Sequence, residues 1–170
     1  RSGAIVQGHA MIRRLVTFLQ RYMPGFEHAY LLQEASMLGI RESWRLVGKY
    51  VLTEDDYTKQ ARFQDGVARG DWYIDVHSAT KGLFHQNTYR DGDYYEIPYR
   101  SMVCDEVNNM VGAGRCISAT FLMQASVRII PTCIDMGQAA GEACAHAQAT
   151  GVQLNAIDGA VLRAEMQYRG

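Results

Sequence analysis

Apolar residues recur at helical spacing from Ile5 to Met23, at Ile5, Val6, Ile12, Leu15, Val16, Leu19 and Met23, so the chain opens on a predicted amphipathic helix. Pro24-Gly25 ends it. Residues 30–37 keep no clear period, whereas the pattern from Gly39 to Leu52 favours strands around a turn, with Val47, Tyr50 and Val51 as core candidates. Thr53 with Asp56 three positions later predicts a capped short helix from Glu54 to about Arg62. Between Phe63 and Tyr99 the texture changes to short alternating runs, Trp72-Tyr73-Ile74-Asp75-Val76 and Tyr94-Tyr95-Glu96-Ile97, with Asp91-Gly92-Asp93 as a turn signal. This reads as a β-rich excursion with long loops. A further strand is expected at Met110-Val111, ending at Gly112-Ala113-Gly114. A helix of small residues then follows Pro131 and is stopped by Gly151, and Asn155 or Asp158 caps a last helix ending near Tyr168.

The small-residue helix has a chemistry of its own. Pro131 presets φ, and Thr132 is placed to cap the amides that follow. Gly137, Ala140, Gly141, Cys144 and Ala145 lie three or four positions apart, which leaves one face nearly bare of side chain. Such a stripe admits close approach of a backbone or a flat ligand, and the amino end carries roughly half a positive charge from its aligned peptide dipoles. Anions are favoured there. Two readings stay open: the glycines serve tight packing against a sheet, or they face a ligand.

Composition narrows the field only a little. With 170 residues and 48% hydrophobic content, the chain can bury one core, or one core plus an excursion. A net charge of -1 gives no electrostatic reason to expect nucleic acid or an anionic membrane as partner. No apolar run is long enough to span a bilayer, since Arg128, Asp135, Gln138 and Glu142 interrupt the longest ones. Cys104, Cys116, Cys133 and Cys144 show neither CxxC pairing nor zinc spacing, so no metal is expected and reduced, mostly buried thiols are the default, which favours a cytoplasmic setting. Cys133 at a helix start is either a thiol of lowered pKa or a small packing residue.

Asn108-Asn109-Met110-Val111-Gly112-Ala113-Gly114-Arg115-Cys116-Ile117-Ser118-Ala119, followed by Ser126-Val127-Arg128, Pro131-Thr132-Cys133 and Gly137-Gln138-Ala139-Ala140-Gly141, resembles the C-terminal flavin motif of the FAD-dependent oxidoreductase family. Leu38-Gly39-Ile40-Arg41-Glu42-Ser43, Tyr50-Val51-Leu52-Thr53 and Ile97-Pro98-Tyr99-Arg100 are similar to other signatures of that family. The resemblance implies an α/β fold, with the chain forming the C-terminal part of a glutathione-reductase-like FAD-binding domain and carrying a β-rich substrate or cap excursion. The expected segments are residues 1–62 in the substrate or cap region, 63–104 as the excursion, and 105–170 returning to the FAD-binding domain. It further implies FAD as cofactor, contacted by Gly114, Arg115 and Cys116 at the strand exit and by Thr132, Cys133 and Gly137 on the helix. The family's dinucleotide-binding half, with its GxGxxG, is absent from these residues, because Ile117 stands where the third glycine would be needed. The expectation is therefore a fragment whose missing half is its partner, inactive alone and prone to self-association.

Substrate chemistry is expected from Arg41, His77, Tyr99, Arg100 and Arg128, acting on a small organic molecule. Histidine carries protons near neutral pH, and a tyrosine beside an arginine can have its phenolate stabilised. Arg128 just before the helix either contacts flavin or substrate or forms a structural ion pair. Trp44 occupies a position where the family usually has arginine, and it is expected to pack instead. The aromatic cluster from Tyr57 to Tyr99 keeps an alternative open: a carbohydrate-binding or lyase-type β-rich module without flavin. A non-catalytic structural remnant is the third reading.

Overall fold

The computed structural model describes residues 2–42, 44–78, 82–86 and 88–166, with the backbone alone considered at 77–78 and 82–86. Two compact units are present, Arg1–Ile40 and Arg41–Gly170. In the first, helix α1 spans Ser2–Tyr22, as the periodicity requires, and the chain leaves it through Gly25 at a φ of 91°. No residue of α1 is buried. The segment after it folds back locally, with the Gln20 amide donating to the Ala29 carbonyl at 2.7 Å and His9 Nδ1 lying 3.0 Å from Glu34 Oε2.

The second unit mixes helices and sheet. Helix α2 covers Glu54–Thr58, shorter than expected, and its start is held by Asp56, whose carboxylate accepts the Thr53 amide at 2.8 Å and the Thr53 hydroxyl at 3.0 Å. Strands β1 (Gly66–Gly70), β2 (Ile74–Ser78), β3 (Gly82–Gln86) and β4 (Tyr95–Pro98) follow. They form two antiparallel pairs, β1 with β4 and β2 with β3. The register Ala68 opposite Ile97 and Gly70 opposite Tyr95 is broken by an irregularity between Gly66 and Ala68. Asp91-Gly92-Asp93 does turn, at a φ of 89° for Gly92, but it joins strands of different pairs and makes no hairpin.

Helix α3 (Phe121–Val127) is capped by Thr120, α4 occupies Ile130–Thr150, and α5 (Gly159–Glu165) is capped by Asp158. Gly151 closes α4 in the left-handed conformation, φ 74°. The core sits where α4 lays Thr132, Met136, Ala139 and Ala143 against β1, with Tyr57, Tyr95 and Tyr99 buried nearby. Tyr57 and Tyr89 stack at 4.3 Å, so these two rings spend a face on each other, while Arg62 lies over the Tyr94 ring. A relay ties α3 to β4 and to the entry of β2: the Tyr95 hydroxyl donates to Ser126 Oγ at 2.8 Å, which leaves the Ser126 hydroxyl to donate to the Trp72 carbonyl. Glu96 of β4 accepts both nitrogens of Arg163 from α5 at 2.8 Å and the Phe63 amide at 2.9 Å. Gly66 makes room for this pair, since a Cβ there would lie 2.5 Å from Glu96 Oε2.

Several expectations fail here. Residues 39–42 and 44–51 form no strand, and the Leu52 bridge to Ala119 is isolated. Leu52 is buried, while Val47 and Val51 are exposed and Tyr50 is half-buried. The apolar pattern there belongs to a loop whose backbone bonds go to other loops: the Leu46 amide to Cys116, Tyr50 to Arg100 and Leu52 to Ser118. Met110-Val111 is likewise a loop, not a strand. Trp44 does not pack, being 91% exposed. All four thiols are free, but Cys116 and Cys144 are exposed rather than buried. Ser43 and Tyr168 lie outside the described residues.

Candidate functional site

The loop of residues 111–118 is threaded between two others. The Gly112 amide donates to the Met102 carbonyl at 2.7 Å and the Ser118 amide to Ser101 at 2.9 Å, which fixes the short 3-10 turn Gly114–Cys116 from both ends. Gly114 adopts a φ of 80°, and a Cβ built on it would sit 3.7 Å from Cys133 Sγ. That turn therefore rests over the first turn of α4. Between them lies a cleft of about 430 Å³ lined by Ala113, Gly114, Arg115, Ile130, Cys133 and Ile134. Its walls are mostly apolar, with Ile130 and Ile134 exposed, and Arg115 is its only charged side chain.

The helix start differs from the expected one. Its N-cap is Ile129, not Thr132, and the Thr132 side chain is buried. A proline early in the first turn moves the boundary upstream, because its locked φ suits the first turn and its missing N–H costs nothing there. The Cys133 amide is consequently engaged, donating to the Ile129 carbonyl at 3.0 Å. Helix geometry leaves the amides of Ile130 and Thr132 without intrahelical acceptors, and Pro131 has none to offer. The Cys133 thiol is pushed above its ordinary pKa by burial, which outweighs the nearby Arg115, so it is a wall residue and not a poised thiolate. Further along the same helix Gly137 and Gly141 are exposed, with nothing within 4 Å of a Cβ on either. Ala140 of the stripe packs against the core, while the two glycines are left open among the described residues.

A second cleft, of about 630 Å³, adjoins the first through Arg115 and Ile130. Arg41, Arg115 and Arg128 line it together with Asp71, Trp72, Asp75, Ala125 and residues 129–131. Arg128 is positioned by β2: its guanidinium donates to the Asp75 carbonyl at 2.7 Å and lies 4.0 Å from the Asp75 carboxylate. Burial lowers its pKa from the usual arginine value, and the neighbouring Arg41 charge adds to that, against the pull of Asp75. Arg115 reaches back to the Arg128 carbonyl at 3.3 Å.

The structure thus brings Arg41 and Arg128 together, and leaves two other candidates elsewhere. Tyr99 and Arg100 border a different depression that shares no lining residue with either cleft. The Tyr99 hydroxyl donates to the Leu154 carbonyl at 2.8 Å, and burial pushes its pKa up to about 12, the reverse of the stabilised phenolate expected. Arg100 is spent on Asp65 in a two-point pair at 2.8 and 3.2 Å. The His77 side chain lies outside the described residues. Cys116 is exposed at the turn, its thiol donating to the Ala113 carbonyl at 3.3 Å.

Sequence reasoning missed Gln124. It is fully buried in α3, and its amide nitrogen donates to the carbonyls of Arg41 at 3.2 Å and Arg115 at 3.5 Å. The available signal was one amide inside the otherwise apolar or small run 121–127, where a polar side chain must find backbone partners.

An FAD molecule tests well against this geometry at its ring end. The first cleft has apolar walls, the Ile130 amide without an intrahelical acceptor at the positive end of α4, one arginine, and a glycine stripe on the same helix. Thr132, expected at the cofactor, instead lines a separate depression with Pro131 and Asp135. No helix of the described residues is long and apolar enough to cross a membrane, and no metal-binding cluster occurs among them. Neither the curated proteins nor the solved structures yield a match. The sequence model of the FAD dependent oxidoreductase family does match, over residues 1–166. That match spans nearly the whole sequence, and the chain belongs to the FAD dependent oxidoreductases, a flavoprotein family.

Proposed function

We propose that this chain forms the flavin end of an FAD site and part of the substrate cover of an oxidoreductase that removes hydride from a small organic molecule. The observation that carries the reading is the closure of the Gly114–Cys116 turn onto the first turn of α4, which makes a mostly apolar cleft with one arginine beside the amino end of that helix. Ala113, Gly114, Ile130, Cys133 and Ile134 would wall the ring and exclude water. Arg115 and the Ile130 amide would lie along the polar edge. FAD bound there supplies an acceptor for two electrons and a proton.

This chain's own contribution is electrostatic. Reduction adds negative charge to the ring, and a fixed dipole with one guanidinium stabilises that charge without reorganising. Arg41 and Arg128 belong to the adjoining cleft, which is proposed as the substrate side. Gly137 would allow the cofactor, or the domain that holds its other half, to lie against α4. The adenosine half is assigned to a dinucleotide-binding half outside these residues, which contain no GxGxxG.

The test is a visible absorption spectrum and a reduction potential measured on the full-length protein and on Arg115→Leu. A flavin spectrum is expected, with the potential of Arg115→Leu shifted to more negative values because the reduced anion loses a cation. Colourless protein that ignores added FAD, or an unchanged potential, contradicts the assignment.

A further inference from the structure

The arginine-lined cleft has a composition that the flavin assignment does not explain. Three guanidiniums, Arg41, Arg115 and Arg128, face it, against two carboxylates, Asp71 and Asp75, which leaves one net positive charge beside the amino end of α4. The carboxylate of Asp75 is already directed at Arg128. The guanidinium of Arg41 is in the opposite position: it is exposed and makes no hydrogen bond or ion pair with any described residue. Three like charges brought this close repel one another, and the lowered pKa of Arg128, caused by burial and then by Arg41, records that cost.

The convergence is built into the fold. Gln124, fully buried, donates to the backbone carbonyls of Arg41 and Arg115, so a single side chain of α3 pins the two loops that carry those guanidiniums. The amide cannot be turned round, since its oxygen would then face two carbonyls. Its own oxygen is buried without a hydrogen-bond partner, an arrangement that polar satisfaction alone would not select. The remaining walls, Trp72, Ala125, Ile129, Ile130 and Pro131, are apolar. A cleft of about 630 Å³ with one surplus positive charge and an apolar wall suits a small organic anion better than an inorganic ion.

We propose that this cleft binds the carboxylate of an organic acid through Arg41 and Arg128, and that the substrate of the oxidoreductase is therefore a carboxylic acid. The identification as substrate rests on the flavin reading, because Arg115 and Ile130 are shared with the cleft assigned to the ring. Carboxylate binding itself does not. Planar guanidinium groups match a carboxylate by two parallel hydrogen bonds, and the incoming charge offsets the repulsion among the three arginines. Carbon and hydrogen atoms adjacent to that carboxylate would be held at the boundary of the two clefts.

The experiment is calorimetric titration of the full-length protein, before and after addition of FAD, with propionate, glutarate and benzoate, using propionamide and benzamide as uncharged counterparts and inorganic phosphate as control. At least one acid should bind while its amide does not, and Arg41→Gln should weaken it tenfold or more, with Arg41→Lys recovering part of the loss. The Arg41 guanidinium makes no hydrogen bond or ion pair with a described residue, and its carbonyl still accepts from Gln124 in either variant, so these variants should keep their structure, which a circular dichroism spectrum checks. Absence of acid binding, or acid binding indifferent to Arg41→Gln, overturns the proposal. So does phosphate binding that FAD abolishes, since the arginines would then serve the cofactor's own diphosphate. Acid binding by protein that never takes up FAD sustains the carboxylate site and removes the flavin reading instead.

Discussion

Helices α1 and α4 are each 21 residues long, and they use their sequences in opposite ways. The apolar residues of α1 are large and periodic, yet none of the helix is buried, with Val6, Met11, Leu15 and Phe18 each more than half exposed. Helix α4 has a much weaker pattern and buries Thr132, Met136, Ala139 and Ala143 completely or nearly so. Size explains the difference. Small side chains let α4 come close to β1, and Gly137 and Gly141 are left open on the helix. Periodicity reports which face is apolar; it does not report whether anything covers that face.

That contrast is sharpest at the buried end of the scale. Arg163→Ala should leave Glu96 buried without its partner and cost about 3 kcal/mol or more, read from urea denaturation. The same pair sets an acid limit. Burial raises the Glu96 pKa, but the bonds from Arg163 and the Phe63 amide outweigh it and the net shift is downward. A lowered folded pKa means that the stabilisation is complete above the unfolded value of about 4.3 and is lost as pH falls through the folded one. Thermal melts should therefore drop below about pH 4, and Glu96→Gln should flatten that part of the profile.

Ala139→Leu forces extra volume between α4 and the sheet and should cost about 1–3 kcal/mol. Tyr95→Phe removes one link of the relay through Ser126 and should cost about 1 kcal/mol, seen as a lowered Tm. Leu15→Ala in α1 should fall within about 0.5 kcal/mol in this chain, despite deleting a large apolar side chain. A cost for Leu15→Ala equal to that of Ala139→Leu would show that α1 is covered after all and would erase the contrast.

Much of the secondary structure was legible. Local signals carried it: the α1 period, Asp56 behind Thr53, the alternation around Ile74 and Ile97, Gly151 and Asp158. What failed was apolar sequence with no local partner. Residues 39–51 and 110–113 have strand-like composition but meet other loops, and only distant hydrogen bonds decide that. The site shows the same division. Gly114, Arg115, Cys133, Arg41 and Arg128 were visible as motif residues, and their convergence depends on Gln124 and on the Asp75 carbonyl, which no spacing in the sequence announces. Tyr99 and Arg100 stood in an equally motif-like setting, but Tyr99 serves the core and the exposed Arg100 an ion pair with Asp65.

The account turns on whether the open face of α4 receives a cofactor. Gly137 decides it cleanly, because a Cβ added there meets nothing within 4 Å among the described residues. FAD affinity of the full-length protein, followed by quenching of flavin fluorescence, should fall at least tenfold in Gly137→Val while the Tm of the FAD-free protein stays within a few degrees. Undiminished FAD retention in Gly137→Val would mean that the stripe faces something other than the cofactor and its domain, and the assignment of the site would fall with it.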